Sequence, residues 1–197
     1  MIGTVWPGDS ATRTAALGNW LMMEPPARPF DAVVGDGSMS NVSYPDEVGE
    51  VLRRSLQSLR PGGRFVCRLF ERPDTPISID ALRALASGPA PLNFHAFKWK
   101  LAMHLAGMAG TTIPVSDIRA LFDAAFPDRD GLACRTGWPR PLIDTIDVYR
   151  GSAVRYTFMT RSELFDVLPD GITQVRCEPC GSYDLAEACP LLCFVRS

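Results

Sequence analysis

Two runs decide how this chain reads: Phe30-Asp31-Ala32-Val33-Val34-Gly35-Asp36-Gly37-Ser38 and, further on, Leu59-Arg60-Pro61-Gly62-Gly63-Arg64-Phe65. The first is apolar without alternation up to its glycines, the pattern of a strand buried on both faces of a parallel sheet. Between the runs, Val48, Val51, Leu52, Leu56 and Leu59 fall at i, i+3, i+4, i+8 and i+11, which makes one helical stripe. Pro45 stands near the start of that helix, and Pro61-Gly62-Gly63 is placed to stop it. Arg64 to Phe70 then predicts the next strand. Strand, helix and strand with short turns form a βαβ unit, whose crossover is right-handed.

Working outward, Thr12 to Leu17 is a short strand candidate that closes at Gly18-Asn19-Trp20. Pro25, Pro26 and Pro29 force an irregular connection after it, because proline removes a donor and restrains its predecessor. From residue 74 to 151 the character changes. Phe94, Phe97, Leu101, Leu105 and Met108 form a helical stripe, Val115, Ile118, Leu121, Phe122 and Ala125 another, and Ile143, Ile146 and Tyr149 a weaker third. This segment predicts a helical insertion that acts as a lid within a single domain, since no linker-like composition sets it apart. Thr160-Arg161-Ser162-Glu163 has the capping-box arrangement and opens a short helix through Leu168. Ile172 to Cys177 and Leu191 to Arg196 close the chain as an antiparallel strand pair.

Composition excludes several function classes. In 197 residues, 46% are hydrophobic and 21% charged, enough apolar material for a real core. With a formal charge of -2 and no basic run longer than Arg53-Arg54, nucleic acid is not an expected partner. No apolar run approaches the ~20 residues needed to cross a bilayer, so no membrane partner is expected. The start MIGTVWPGDSATRTAAL lacks the charged leader and apolar stretch of a signal peptide, which predicts a cytoplasmic protein. Its six cysteines, Cys67, Cys134, Cys177, Cys180, Cys189 and Cys193, are then reduced thiols. Cys177-x-x-Cys180 with Cys189-x-x-x-Cys193 matches a four-thiolate zinc spacing only loosely, and Cys67 and Cys193 sit in β-type runs as small hydrophobes. No metal is expected. His95 and His104 do not share a helical face at ligand spacing, and Lys98-Trp99-Lys100 reads as a solvated helix face. Arg68, near the end of its strand, suits either an anionic substrate or a structural ion pair.

Open α/β sheets bind ligands at the carboxyl edge, where strand ends and helix starts leave backbone groups free. Two clusters are placed there: Gly18-Asn19-Trp20 and Gly35-Asp36-Gly37-Ser38. An asparagine amide pairs with a nucleobase edge, tryptophan lies against its ring, and glycines allow close approach to the main chain. The absence of G-x-G-x-x-G after a strand argues against a nicotinamide-dependent oxidoreductase.

The order of these pieces resembles the class I S-adenosylmethionine (SAM) methyltransferases. There "fDvvxxDgs", a helix and "LxPGGxf" occupy the fourth strand, the following helix and the fifth strand. The late capped helix and final strand pair also look like the family's. The resemblance covers Thr12–Phe70 and Tyr156–Arg196 and leaves the helical insertion outside. It implies an α/β, Rossmann-like methyltransferase sheet, a SAM cofactor and methyl transfer to a small-molecule acceptor. The alternative is a catalytically inactive domain of that fold working through protein contacts. It also places Gly18, Asn19 and Trp20 at the end of the family's third strand, beside the adenine, and Asp36, Gly37 and Ser38 on the floor of the site. The family's first strand, glycine-rich loop and ribose-binding acid have no counterpart from Met1 onward, so the expected sheet is amino-terminally truncated. In the family order 3-2-1-4-5-7-6, the missing strands lie between the third and fourth.

Overall fold

A computed structural model describes residues 8–89, 92–178 and 181–197, the side chain of Gln174 excepted. Strand β1 (Phe30–Asp36) leads through a short 3-10 turn to helix α1 (Asp46–Gln57) and strand β2 (Leu59–Arg68). β1 and β2 pair in parallel, with Val33 beside Phe65 and Asp36 beside Arg68. The predicted βαβ unit is therefore present.

Its details differ from the sequence reading in two places. α1 ends at Gln57, where the Ser58 N–H donates to the Arg54 carbonyl, so the helix stops before Pro61. Pro61-Gly62-Gly63 instead lies inside β2 as an irregularity. Phe30 pairs with Leu59 and Ala32 with Arg64, so Asp31 alone stands opposite residues 60–63. Such a bulge bends the strand and shifts the aim of the residues beyond it.

After β2 come helices α2 (Ile79–Leu85) and α3 (Phe94–Ala109), then strand β3 (Thr112–Pro114) and helices α4 (Val115–Ala125), α5 (Arg129–Thr136) and α6 (Arg140–Asp144). Strand β4 (Arg155–Thr157) pairs antiparallel with β3. Helix α7 (Arg161–Asp166) opens with the predicted capping box: Thr160 Oγ1 accepts from the Glu163 N–H, and Glu163 Oε2 accepts from the Thr160 N–H. Strands β5 (Ile172–Glu178) and β6 (Leu191–Arg196) then pair antiparallel. β6 inserts between β2 and β5, giving the order β1-β2-β6-β5. Since β6 is antiparallel to both neighbours, β5 runs with β1 and β2. The result is a mixed sheet in an α/β chain.

Two apolar clusters form. One joins the inner face of the sheet (Phe65, Cys67, Leu192, Phe194) to Val48, Val51 and Leu52 of α1 and Leu164 of α7. The other lies within the helical segment, around Phe94, Phe97, Leu101, Ile118, Phe122 and Phe158. Met108 does not belong to the predicted α3 stripe; it is exposed. Among the described residues, no helix is long and apolar enough to cross a membrane.

The amino-terminal expectation fails. Thr12–Leu17 forms no strand; beyond a single Ser10–Arg13 bridge the segment is irregular, and Leu17 is fully exposed. Alanines supply little side chain to pack on a pleated surface, and no neighbouring strand receives this run. β1 is consequently an edge strand among the described residues, and its outer face is open: Val34 is 71% exposed and Phe30 48%. An apolar run reads alike for a central strand and for an edge strand with one bare face, which is why burial on both sides was expected.

Candidate functional site

The carboxyl ends of β1 and β2 meet the helical segment at a cleft of about 320 Å³. Its sheet side is Asp36, Gly37, Ser40, Asn41, Arg68 and Phe70, and its far wall is Trp99 of α3 and Tyr156 of β4. The loop after β1 is shaped by Gly37, whose φ of 63° turns the chain back. The Gly37 carbonyl then accepts from Asn41 Nδ2 at 3.0 Å and from the Ser40 N–H at 3.2 Å. A Cβ at Gly37 would stand 3.1 Å from the Phe70 ring, so the missing side chain lets Phe70 close against the loop.

The far wall is aromatic. Trp99 stacks on Phe70 with centroids 4.8 Å apart and an interplanar angle of 11°. Tyr156 and Phe158 flank it at 5.3 Å each. The lysines beside Trp99 do not form the expected solvated face. Lys98 is half-buried over the Tyr149 ring at 4.9 Å, and Lys100 pairs with Glu187 at 3.3 Å. Burial pushes the Lys98 pKa down, and burial pushes Tyr149 up, helped by neighbouring Tyr156.

Arg68 is the one cation lining the cleft among the described residues, and its guanidinium carbon lies 5.7 Å from the centre of the Tyr183 ring. Its Nε stands 3.3 Å from Asp36 Oδ1 yet is buried without a hydrogen-bond partner, so the ion pair lacks hydrogen-bond geometry. Asp36 is 72% exposed and its charge is largely screened by solvent. Arg72, whose Nε is also buried without a partner, donates from Nη2 to Glu163 Oε1 at 2.6 Å, and Arg129 is forked among Asp123, Asp144 and Asp147. The Oγ atoms of Ser38 and of Ser40, a residue only 2% exposed, are also buried without partners among the described residues. Buried polar atoms are nearly always satisfied, so the Ser40 hydroxyl, on a residue that lines the cleft, marks a place for a water or ligand.

The residues expected to share a SAM site are divided. Asp36 and Gly37 line this cleft, whereas Ser38, at the start of the following 3-10 turn, does not. Gly18, Asn19 and Trp20 line a different cavity, also about 320 Å³, with Ala16, Met22 and Met23. Their segment is tied to the last turn of α1 by Arg54 Nη1 donating to the Met23 carbonyl. That turn lies near the start of β2, at the opposite edge of the sheet from Asp36. Trp99, Tyr156, Ser40 and Asn41 were not singled out by the sequence. A tryptophan set between two lysines on a helix was the available signal.

Other sites offer less. A larger cavity, about 360 Å³, has an apolar floor of Ile77, Met103 and Leu185, but its charges are already paired: Lys100 with Glu187, Arg72 with Glu163, Glu71 with Arg161. His104 Nδ1 is satisfied 2.6 Å from the Ile77 carbonyl. Among the described residues no group of His, Cys, Asp or Glu is arranged to hold a metal, and Cys67, Cys134, Cys177 and Cys193 are free thiols. Cys180, the remaining member of the loose zinc spacing, lies outside the described residues.

No family model and no curated protein matches the chain. Among solved structures it is similar to a possible exported protein from Bordetella parapertussis, at 19% sequence identity and a TM-score of 0.41. The similarity covers 91% of this chain and 42% of that one, so the chain spans less than half the length of that protein.

Proposed function

We propose that this chain is a domain of the class I methyltransferase type that supplies the acceptor side of a small-molecule site. The observation that carries the reading is the strand order β1-β2-β6-β5, with β6 alone reversed. It coincides with the last four places of the family order, 4-5-7-6. The sequence resemblance independently assigns β1 and β2 to the fourth and fifth of those strands. The cleft at their carboxyl ends lies where such sheets bind ligands.

The cofactor itself fits only in part. SAM spans an adenosine and a charged methionine, whereas the cleft volume is near the lower end of the ~300–1,000 Å³ range for small-molecule sites. Asn19 and Trp20 open on another cavity, and no glycine-rich loop faces Asp36 among the described residues. No step of methyl transfer is therefore derived through these residues. The same division favours a second reading, a non-catalytic domain of this fold working through protein contacts.

Titration calorimetry with SAM and its demethylated product separates the two. The geometry predicts binding weaker than micromolar, because several polar groups of the cofactor would lack partners worth roughly 0.5–1.5 kcal/mol each. Micromolar affinity, lost on Asp36→Ala, identifies a complete enzyme site. No heat with either compound selects the non-catalytic domain.

A further inference from the structure

We infer that the cleft between the β1–β2 carboxyl edge and the Trp99–Tyr156 wall binds a one-ring aromatic carboxylate, with Arg68 as the anchor for its charge. The inference rests on the acceptor-side reading above for its biological meaning, but not for its test. Size sets the first limit: about 320 Å³ suits a single substituted ring better than a nucleotide or a peptide. Shape sets the second. Trp99, Phe70 and Tyr156 present aromatic surface to the cleft, and Trp99 is fixed by its stack on Phe70 and by Phe158 behind it. A planar ring gains most from such a wall, through offset or edge contacts.

Charge decides the sign of the ligand. Arg68 offers a planar fork of donors that matches a carboxylate bidentately. Its Nε is unpartnered, its 3.3 Å contact with Asp36 lacks hydrogen-bond geometry, and the Asp36 carboxylate is mostly in water. Nε itself is buried, so an incoming carboxylate would meet the terminal Nη groups of the guanidinium, and no hydrogen bond at Nε has to break for it to do so. A cationic ligand would have to sit beside Arg68, with Lys98 held close by on the Tyr149 ring. Ser40 adds polarity to the floor: it lines the cleft, and its buried hydroxyl has no hydrogen-bond partner among the described residues. In the larger cavity both cations already donate hydrogen bonds to carboxylates, Arg72 from Nη2 to Glu163 and Lys100 to Glu187, although Arg72 Nε is likewise buried without a partner.

The test uses the full chain without SAM: tryptophan fluorescence titrated with 4-hydroxybenzoate and with its neutral amide near pH 7. The acid should saturate with a Kd at least tenfold below that of the amide. Arg68→Gln should raise the acid's Kd to the amide's and leave the amide's unchanged, which also shows that the variant is folded. Lys100→Gln, in the larger cavity, should change neither. Failure of both probes to bind, equal affinities in the wild type, or an acid preference that survives Arg68→Gln overturns the assignment. So does loss of the acid's binding in Lys100→Gln. A cleft that passes while SAM titration shows no heat would select the non-catalytic domain and leave the acid site standing.

Discussion

The Pro61-Gly62-Gly63 bulge makes a quantitative prediction, because its two glycines are required for different reasons. A Cβ at Gly63 would stand 2.8 Å from the Arg60 carbonyl oxygen, 3.2 Å from that of Asp31 and 3.1 Å from Leu59 Cβ. Two of these are main-chain atoms of paired strands, which cannot move without opening the ladder. Gly63→Ala should therefore cost about 2–3 kcal/mol, the upper part of the range for overpacking. At Gly62 the space is open, the nearest atom being Arg60 Nη1 at 3.7 Å, but φ is +74°. Gly62→Ala meets only the left-handed cost of roughly 1–2 kcal/mol, partly offset by about 0.4–1 kcal/mol from a stiffer unfolded chain. Gly62→Asn should cost less still, because asparagine tolerates that conformation. For a chain of this length, ~2–4 °C per kcal/mol puts the Gly63→Ala fall in Tm at roughly 4–12 °C. Urea unfolding of the three variants at one pH gives the ranking directly. Gly63→Ala unfolding like the wild type, or Gly62→Ala unfolding earlier than Gly63→Ala, would refute the steric account of the bulge.

Two further outcomes are expected. Arg129 first and Arg119 second hold the Asp147 carboxyl below its ordinary range, and Arg129 with Arg140 does the same for Asp144. A carboxylate with a depressed folded pKa contributes stability that is present above its unfolded value, about 3.9, and is lost as pH falls through the folded one. Melting temperature should thus drop steeply below about pH 4 in the wild type and less steeply in Arg129→Met; equal slopes would show that the cluster is electrostatically silent. The second outcome concerns thiols. Burial pushes Cys67 up to about 12, whereas Cys134 is exposed, so a disulfide reagent near pH 8 should label Cys134 fast and Cys67 only on unfolding. Equal labelling rates would mean that the inner face of the sheet is open to solvent.

The legible part of the fold was that written in local patterns. β1, α1 and β2 follow from one apolar run, one stripe and the placement of Pro45, and the capping box at Thr160 fixes the start of α7 within a residue. The reading of Pro61-Gly62-Gly63 as a helix stop was wrong for a local reason. Ser58 already caps α1, its hydroxyl and N–H both donating to the Arg54 carbonyl, and its own carbonyl accepts the Phe30 N–H that starts β1. Thr12–Leu17 failed because a strand needs a neighbour, and pairing partners are not visible in a single run. Half of the candidate site was equally hidden. Asp36 and Arg68 could be placed at strand ends, but Trp99 and Tyr156 belong to segments far away in sequence. The lysines beside Trp99 gave the stretch the look of a solvated face, whereas Lys98 lies over the Tyr149 ring and Lys100 pairs with Glu187.

How the helical segment meets the sheet bears on what kind of cleft this is. A lid implies a hinged contact with few fixed partners, yet a chain of hydrogen bonds fastens the β3–β4 ribbon to the loop after β1. The Tyr44 N–H donates to Thr112 Oγ1 at 2.9 Å, Thr112 and Thr157 share a bond at 2.8 Å, and Thr157 Oγ1 donates to the Val42 carbonyl at 2.6 Å. Thr157 spends its single proton on Val42, so Thr112 must be the donor between the two hydroxyls, and the proton order along the chain is set. Thr157 is wholly buried, which makes each of these bonds costly to break. A second tie runs from Thr111 Oγ1 and Arg72 Nη2 to Glu163 Oε1, with the other oxygen of Glu163 closing the capping box. These bonds hold the wall that carries Tyr156 against the loop that carries Ser40 and Asn41. Tyr156 and the Ser40–Asn41 loop therefore keep a fixed relation through formed hydrogen bonds, and a closing movement of the helices would leave this part of the wall in place.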